Sequence, residues 1–176
     1  MNRILSVIVN NRMGVLNRIT GLFLKRGINI QSITVGPTET EGLSRMTIVL
    51  NVDSERTTEQ VIKQLHKQID VLKVFDITEQ ATVTRELVLI RVAVTPQTRA
   101  EVTGLIEPFR ASIIDVGRES LTIQATGRTE KIDALIALLR PYGIKELART
   151  GITALTRDSD TVNEVARLNK ANVVVL

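Results

Sequence analysis

Asn10-Asn11-Arg12-Met13-Gly14 joins an Ile- and Val-rich segment to an apolar stripe with helical spacing, and this short run is the part of the chain best suited to bind a ligand. A helix start presents backbone N–H groups that its own turns leave unbonded, a favourable place for a carboxylate, and Gly14 has no side chain to hold a ligand away. A turn capped by Asn10 or Asn11 would use the same residues merely to satisfy the helix end. Asn29 adds a second polar group. It lies between Ile28 and Ile30, so if those two face the helices the amide faces the other side of a sheet. There it is exposed, paired across a subunit interface, or bound to a polar ligand.

Other chemistries find less support. The one histidine, His66, has no cysteine, second histidine or carboxylate cluster near it in sequence, so no metal or catalytic residues are expected. Ser6, Ser32, Ser44, Ser112, Ser120 and Ser159 stand in no nucleophile-elbow context. The absence of cysteine suits a reducing compartment, and a cytoplasmic location is the expectation. The opening MNRILSVIVNN carries an apolar stretch of only about six residues, too short for a signal peptide or a membrane span. Ten basic residues stand against seven acidic ones up to residue 78, and thirteen against twelve after it, so neither half is a polycation. Arg12, Arg18, Lys25 and Arg26 form a modest basic set. RNA-binding sheets stack bases on strand aromatics, whereas Phe23, Phe75, Phe109 and Tyr142 are the only aromatics here and three of them fall in or beside helices or turns. No nucleic-acid or membrane partner is expected.

The elements that must position the loop follow from periodicity. Arg3–Val9 reads as a strand; Val15, Leu16, Ile19, Leu22 and Phe23 then recur on one helical stripe, and Gly27 stands where a left-handed residue would end the helix. Apolar alternation at Ile28 and Ile30 shifts phase to Ile33 and Val35, which predicts a bulge near Gln31–Ser32. A third strand aligns Met46, Ile48, Leu50 and Val52. Asp53 or Ser54 caps a helix carrying Val61, Ile62, Leu65 and Ile69, and Val71–Ile77 closes the half. The order βαββαβ recurs after residue 80: a strand at Leu87–Val94, a Thr95-Pro96 cap, a helix with Val102, Leu105, Ile106 and Phe109, strands at Ile113–Val116 and Leu121–Ala125, a helix with Ile132, Leu135, Ile136 and Leu139, and a strand at Ile144–Ala148. The class is α+β, two ferredoxin-like βαββαβ domains at 1–78 and 80–157. Residues 158–176 form a tail that the pattern does not place, beyond a helix-like stretch at Val162, Val165, Ala166 and Leu168. Leu5, Val7 and Val9 alternate with Ile4 and Ile8, so the sheet face away from the helices also needs cover, from a second sheet, domain or subunit. The second half's equivalent loop, Thr95-Pro96-Gln97, lacks the glycine and one N–H, so only the first half is equipped for a ligand.

NNRMGVLNRITGLFLKRGINIQSITVGPTETEGLSRMTI, QLHKQIDVLKV, IIDVGRESLTIQATG and ELARTG together resemble the regulatory small subunits of acetolactate synthase (acetohydroxyacid synthase), whose first half is an ACT domain. The resemblance runs from about residue 2 to 157. It implies a noncatalytic regulatory subunit without cofactors of its own, which activates a large catalytic subunit and confers feedback inhibition by valine in branched-chain amino-acid biosynthesis. Thiamine diphosphate, Mg and FAD would belong to the catalytic partner. It also implies a homodimer of ACT domains with valine held between chains by Asn11, Gly14, Val15, Leu16, Asn29 and Ile30. Loop amides, side-chain amides and interface aliphatics together supply what a small branched amino acid needs. The rival readings are a free-standing ACT-type amino-acid sensor controlling a different protein, and a small enzyme built on the duplicated fold. The second half, without a ligand loop, suits a partner-contact task better than a simple sensor.

Overall fold

The structure, a computed structural model, describes residues 1–157. It falls into two compact units, Met1–Val83 together with the segment that starts at Ala154, and Thr84–Thr153. The helix-like stretch expected in the tail lies outside the described residues.

In the first unit β1 (Asn2–Asn10), α1 (Val15–Lys25), β2 (Asn29–Pro37), β3 (Leu43–Asn51), α2 (Glu55–Leu65) and β4 (Val71–Asp76) build an antiparallel sheet of order β2-β3-β1-β4. Strand alternation sends Leu5, Val7, Val9, Met46, Ile48 and Leu50 to one face, where they pack on Val15, Ile19, Leu22 and Phe23 of α1 and on Val61 and Leu65 of α2. Full burial of each such side chain contributes roughly 1.5–3 kcal/mol. Ser54 Oγ accepts from the Thr57 N–H at 3.3 Å and starts α2, and Gly27 at φ 64° follows α1 as the residue type required. The β2 ladder shifts register between Ile30 and Ser32, the expected bulge.

Two residues leave the positions that periodicity assigned to them. Leu16 is 45 % exposed, off the buried stripe, and Ile69 is 89 % exposed because α2 ends at Leu65 and the chain has already turned toward β4. The sheet's other face is also covered, in part from within the unit. Ser6 and Ile8 are buried there; Ile8 packs with Leu43, Leu72 and Phe75, while Ala154 and Thr156 come to lie beside Ser6, Arg45, Phe75 and Ile77. Ala154 and Thr156 sit on a strand that periodicity missed, β9 (Thr153–Thr156). The contact division therefore groups the described residues 154–157 with the first unit, where the sequence pattern kept them with the second half.

The second unit repeats the plan with β5 (Thr82–Ala93), α3 (Thr98–Ile106), β6 (Ser112–Val116), β7 (Ser120–Gly127), α4 (Thr129–Leu139) and β8 (Ile144–Arg149), in the order β6-β7-β5-β8. Val88, Ile90 and Val92 pack with Val102, Ile106, Leu121, Ile123, Ile132, Leu135 and Leu139. At one end Glu86, buried, accepts hydrogen bonds from Thr129 Oγ1 and Arg149 Nε, and Arg149 also reaches Asp133 at 2.8 Å. Burial pulls the Arg149 guanidinium down, but the bonds to Glu86 and Asp133 outweigh it and leave the group above its ordinary value.

Candidate functional site

The loop leaves β1 at Asn10 and enters α1 through Gly14, whose φ of 81° and ψ of −7° lie in the left-handed region. A side chain there would be strained, and its Cβ would sit 3.1 Å from Arg18 Nη1. Among the described residues no side chain caps α1. Both asparagines that could have done so are occupied otherwise or turned outward. Asn10 donates its backbone N–H to the Asp70 carbonyl at 2.9 Å and its amide to Asp70 Oδ1 at 3.5 Å. The Asn11 N–H donates to the Gly42 carbonyl at 2.8 Å, and the residue is exposed. The helix start thus keeps its positive end toward solvent, with the Arg18 guanidinium beside it.

Of the other expected site residues, Val15 is 3 % exposed and its N–H donates to the Arg12 carbonyl at 3.4 Å, whereas Leu16 stands half-exposed beside the loop. Ile30 packs toward the helix-side core, so its side chain is turned away from the face that Asn29 occupies. Asn29 itself is exposed on edge strand β2, level with Asn51 and, across β3, with Asn2. The loop lies at the opposite end, beyond the Asn10–Leu43 pair. Eight residue-to-residue steps from Asn2 to Asn10 make that separation about 27 Å. One chain therefore brings Asn11, Gly14 and Leu16 together and leaves Asn29 at the far end of the sheet.

Sequence reasoning missed Asp70. It is 6 % exposed, and its carboxylate pairs with Arg18 while both its main chain and its side chain hold Asn10. The spacing of Arg18, four residues after Gly14, was a readable hint; the partner 52 residues away was not.

The second unit's counterpart is closed. Thr95 Oγ1 accepts from the Thr98 N–H at 3.2 Å and the Thr95 carbonyl accepts from the Arg99 N–H at 3.0 Å, so the Thr95-Pro96 cap forms although the regular helix begins at Thr98. Beside it Tyr142 donates to Glu101 Oε1 at 2.6 Å; that bond, with some desolvation and the carboxylate's charge, raises the phenol above its ordinary pKa. Among the described residues no three His, Cys, Asp or Glu are placed to hold a metal, and no helix is long and apolar enough to cross a membrane.

Residues 5–73 match the AHAS small subunit-like ACT domain, and residues 85–158 match the small subunit of acetolactate synthase. The acetolactate synthase small subunit of Bacillus subtilis (strain 168) is 62 % identical over 157 residues, covering 89 % of this chain and 91 % of that protein. The chain belongs to the acetolactate synthase small-subunit family. A probable acetolactate synthase small subunit of Archaeoglobus fulgidus is 53 % identical over 157 residues, 89 % of this chain and 98 % of its own length. The crystal structure of the Thermotoga maritima acetolactate synthase small subunit superposes with a TM-score of 0.82 at 41 % identity, over 90 % of this chain and 99 % of that one. The first unit's sheet and two helices are thus an ACT domain, and the α+β architecture of two ferredoxin-type units is the family's. As a small subunit of acetolactate synthase, the chain is not the catalytic subunit, and the family name implies a catalytic subunit as its partner.

Proposed function

We propose that this chain, without cofactors of its own, activates the catalytic subunit of acetolactate synthase and makes it sensitive to feedback inhibition by valine, acting as a homodimer in the cytoplasm. One observation carries the reading: α1 starts at Gly14 without a side-chain cap, while Asn29 lies about 27 Å away at the other end of the same sheet. A ligand that uses both needs Asn29 from a second copy. Donors at the helix start and Asn11 suit a carboxylate, the Asn29 carbonyl suits an ammonium group, and half-exposed Leu16 gives an apolar wall. Valine presents these three chemistries within one small molecule. Thiamine diphosphate, Mg and FAD fall to the catalytic partner in this reading, and the second unit, whose equivalent helix start is capped, serves partner contact rather than effector binding.

The test is reconstitution with the catalytic subunit, following acetolactate formation from pyruvate with and without this chain over a valine titration. The expected result is a faster rate on adding the chain, and its suppression by valine. An unchanged rate without co-purification would remove the reading.

A further inference from the structure

Asp70 is, among the described residues of the first unit, the buried carboxylate, and it sits in the connection between α2 and β4. Its carbonyl and one carboxylate oxygen hold Asn10, where the loop leaves β1; its other carboxylate oxygen pairs with Arg18, whose guanidinium lies against Gly14, where the loop enters α1. One residue thus grips both ends of the loop. An ion pair with one buried partner need not add net stability over apolar packing, but it fixes the position of the groups it joins. Arg18 is half-exposed, and four of its five N–H donors remain beyond the one that meets Asp70. The carboxylate therefore restrains a cation that would otherwise sample many rotamers over the helix start.

We propose that Asp70 is the positioning residue of the effector loop, holding Asn10 and Arg18 so that the loop keeps the conformation that receives valine. The inference rests on the valine reading above and adds a residue that does not itself touch the ligand.

The experiment is calorimetric titration of L-valine into the purified full chain, wild type beside Asp70→Asn, Arg18→Gln, the double variant and Gly14→Asp, with far-UV circular dichroism confirming the fold of each. Asp70→Asn weakens valine about tenfold, or ~1.4 kcal/mol. Arg18→Gln, on the half-exposed helix surface, breaks the same pair without disturbing a buried position and weakens valine to a similar extent. The double variant is no weaker than either single one, because the two act as one unit; independent contributions would add. Arg18→Lys keeps the charge and recovers part of the affinity. If wild type binds valine and Gly14→Asp does not, but Arg18→Gln binds like wild type or the two losses add in full, the positioning role is wrong and the valine site stands. If wild type itself binds no valine, both fall.

Discussion

Exchange of Gly14 for aspartate puts three penalties at the point where the effector's carboxylate is proposed to arrive. Gly14 holds φ at 81°, so any side chain costs about 1–2 kcal/mol of left-handed strain, less for aspartate, which tolerates that region. The new Cβ would stand 3.1 Å from Arg18 Nη1, and the guanidinium must yield by a few tenths of an ångström. The new carboxylate then faces the incoming one. Two like charges 4 Å apart repel by roughly 4 kcal/mol at an effective dielectric near 20. The loop is exposed, and screening brings this toward about 1 kcal/mol. Since about 1.4 kcal/mol is a tenfold change, the half-inhibiting valine concentration should rise at least fivefold. Gly14→Ala brings the strain and the Cβ without the charge, and the difference between the two variants isolates repulsion. The assay is acetolactate production by the reconstituted complex over a valine titration, with the rate at zero valine reporting assembly. A Gly14→Asp complex that assembles, is activated and stays as valine-sensitive as wild type would refute this placement of the site.

Asn29→Ala should weaken valine by roughly 1–3 kcal/mol, read by the same titration, if a charged ligand group loses a hydrogen bond there. Because Asn29 must come from the second copy, mixed dimers of Gly14→Asp and Asn29→Ala chains should regain one intact site each, and calorimetry should find valine binding restored to half the wild-type stoichiometry. Pro96→Asp should leave valine inhibition unchanged in the reconstituted complex, since Thr95 already closes that helix start. Absorbance titration of Tyr142, the one tyrosine, should place its ionisation above the ordinary phenol value, and Glu101→Gln should bring it back down. The sign is that of a raised pKa: the Tyr142–Glu101 bond contributes its stability while the phenol is protonated and loses it as pH rises through the folded-state value.

The parts of the fold legible in the sequence are those written locally. The phase slip from Ile30 to Ile33 announces the β2 bulge, the Val61 and Leu65 spacing announces α2, and Gly27 marks a left-handed stop, because each depends on neighbours within one or two turns. Leu16 and Ile69 show the limit. Both fit a helical stripe by spacing, but whether a stripe position is covered depends on where the helix ends and how wide the facing sheet is. Strand β9 is four residues of mixed character, and buried Ala154 lies beside Ser6, Phe75 and Ile77, residues drawn from far along the chain. The candidate site divides in the same way. Gly14 could be read from the loop's own composition, but whether Asn10 or Asn11 caps the helix could not, and Asp70 carries no motif and meets its partners only when β4 pairs with β1.

The distance between the two halves of the site has a thermodynamic consequence. Within one chain Asn29 cannot reach the loop, so a valine that contacts both residues binds the assembled pair of ACT domains and not the single one. Ligand binding and association are then linked, and valine stabilises the dimer by the same factor by which dimerisation raises valine affinity. Apparent affinity should accordingly fall when the protein is diluted below its dimer dissociation constant. The duplicated half offers the internal contrast. It keeps the βαββαβ frame, yet Pro96 removes an N–H and Thr95 occupies another, so its helix start offers an anion fewer donors. The fold was retained in both halves while the donors survive in one, which is the arrangement expected if the first half senses the effector and the second transmits or anchors.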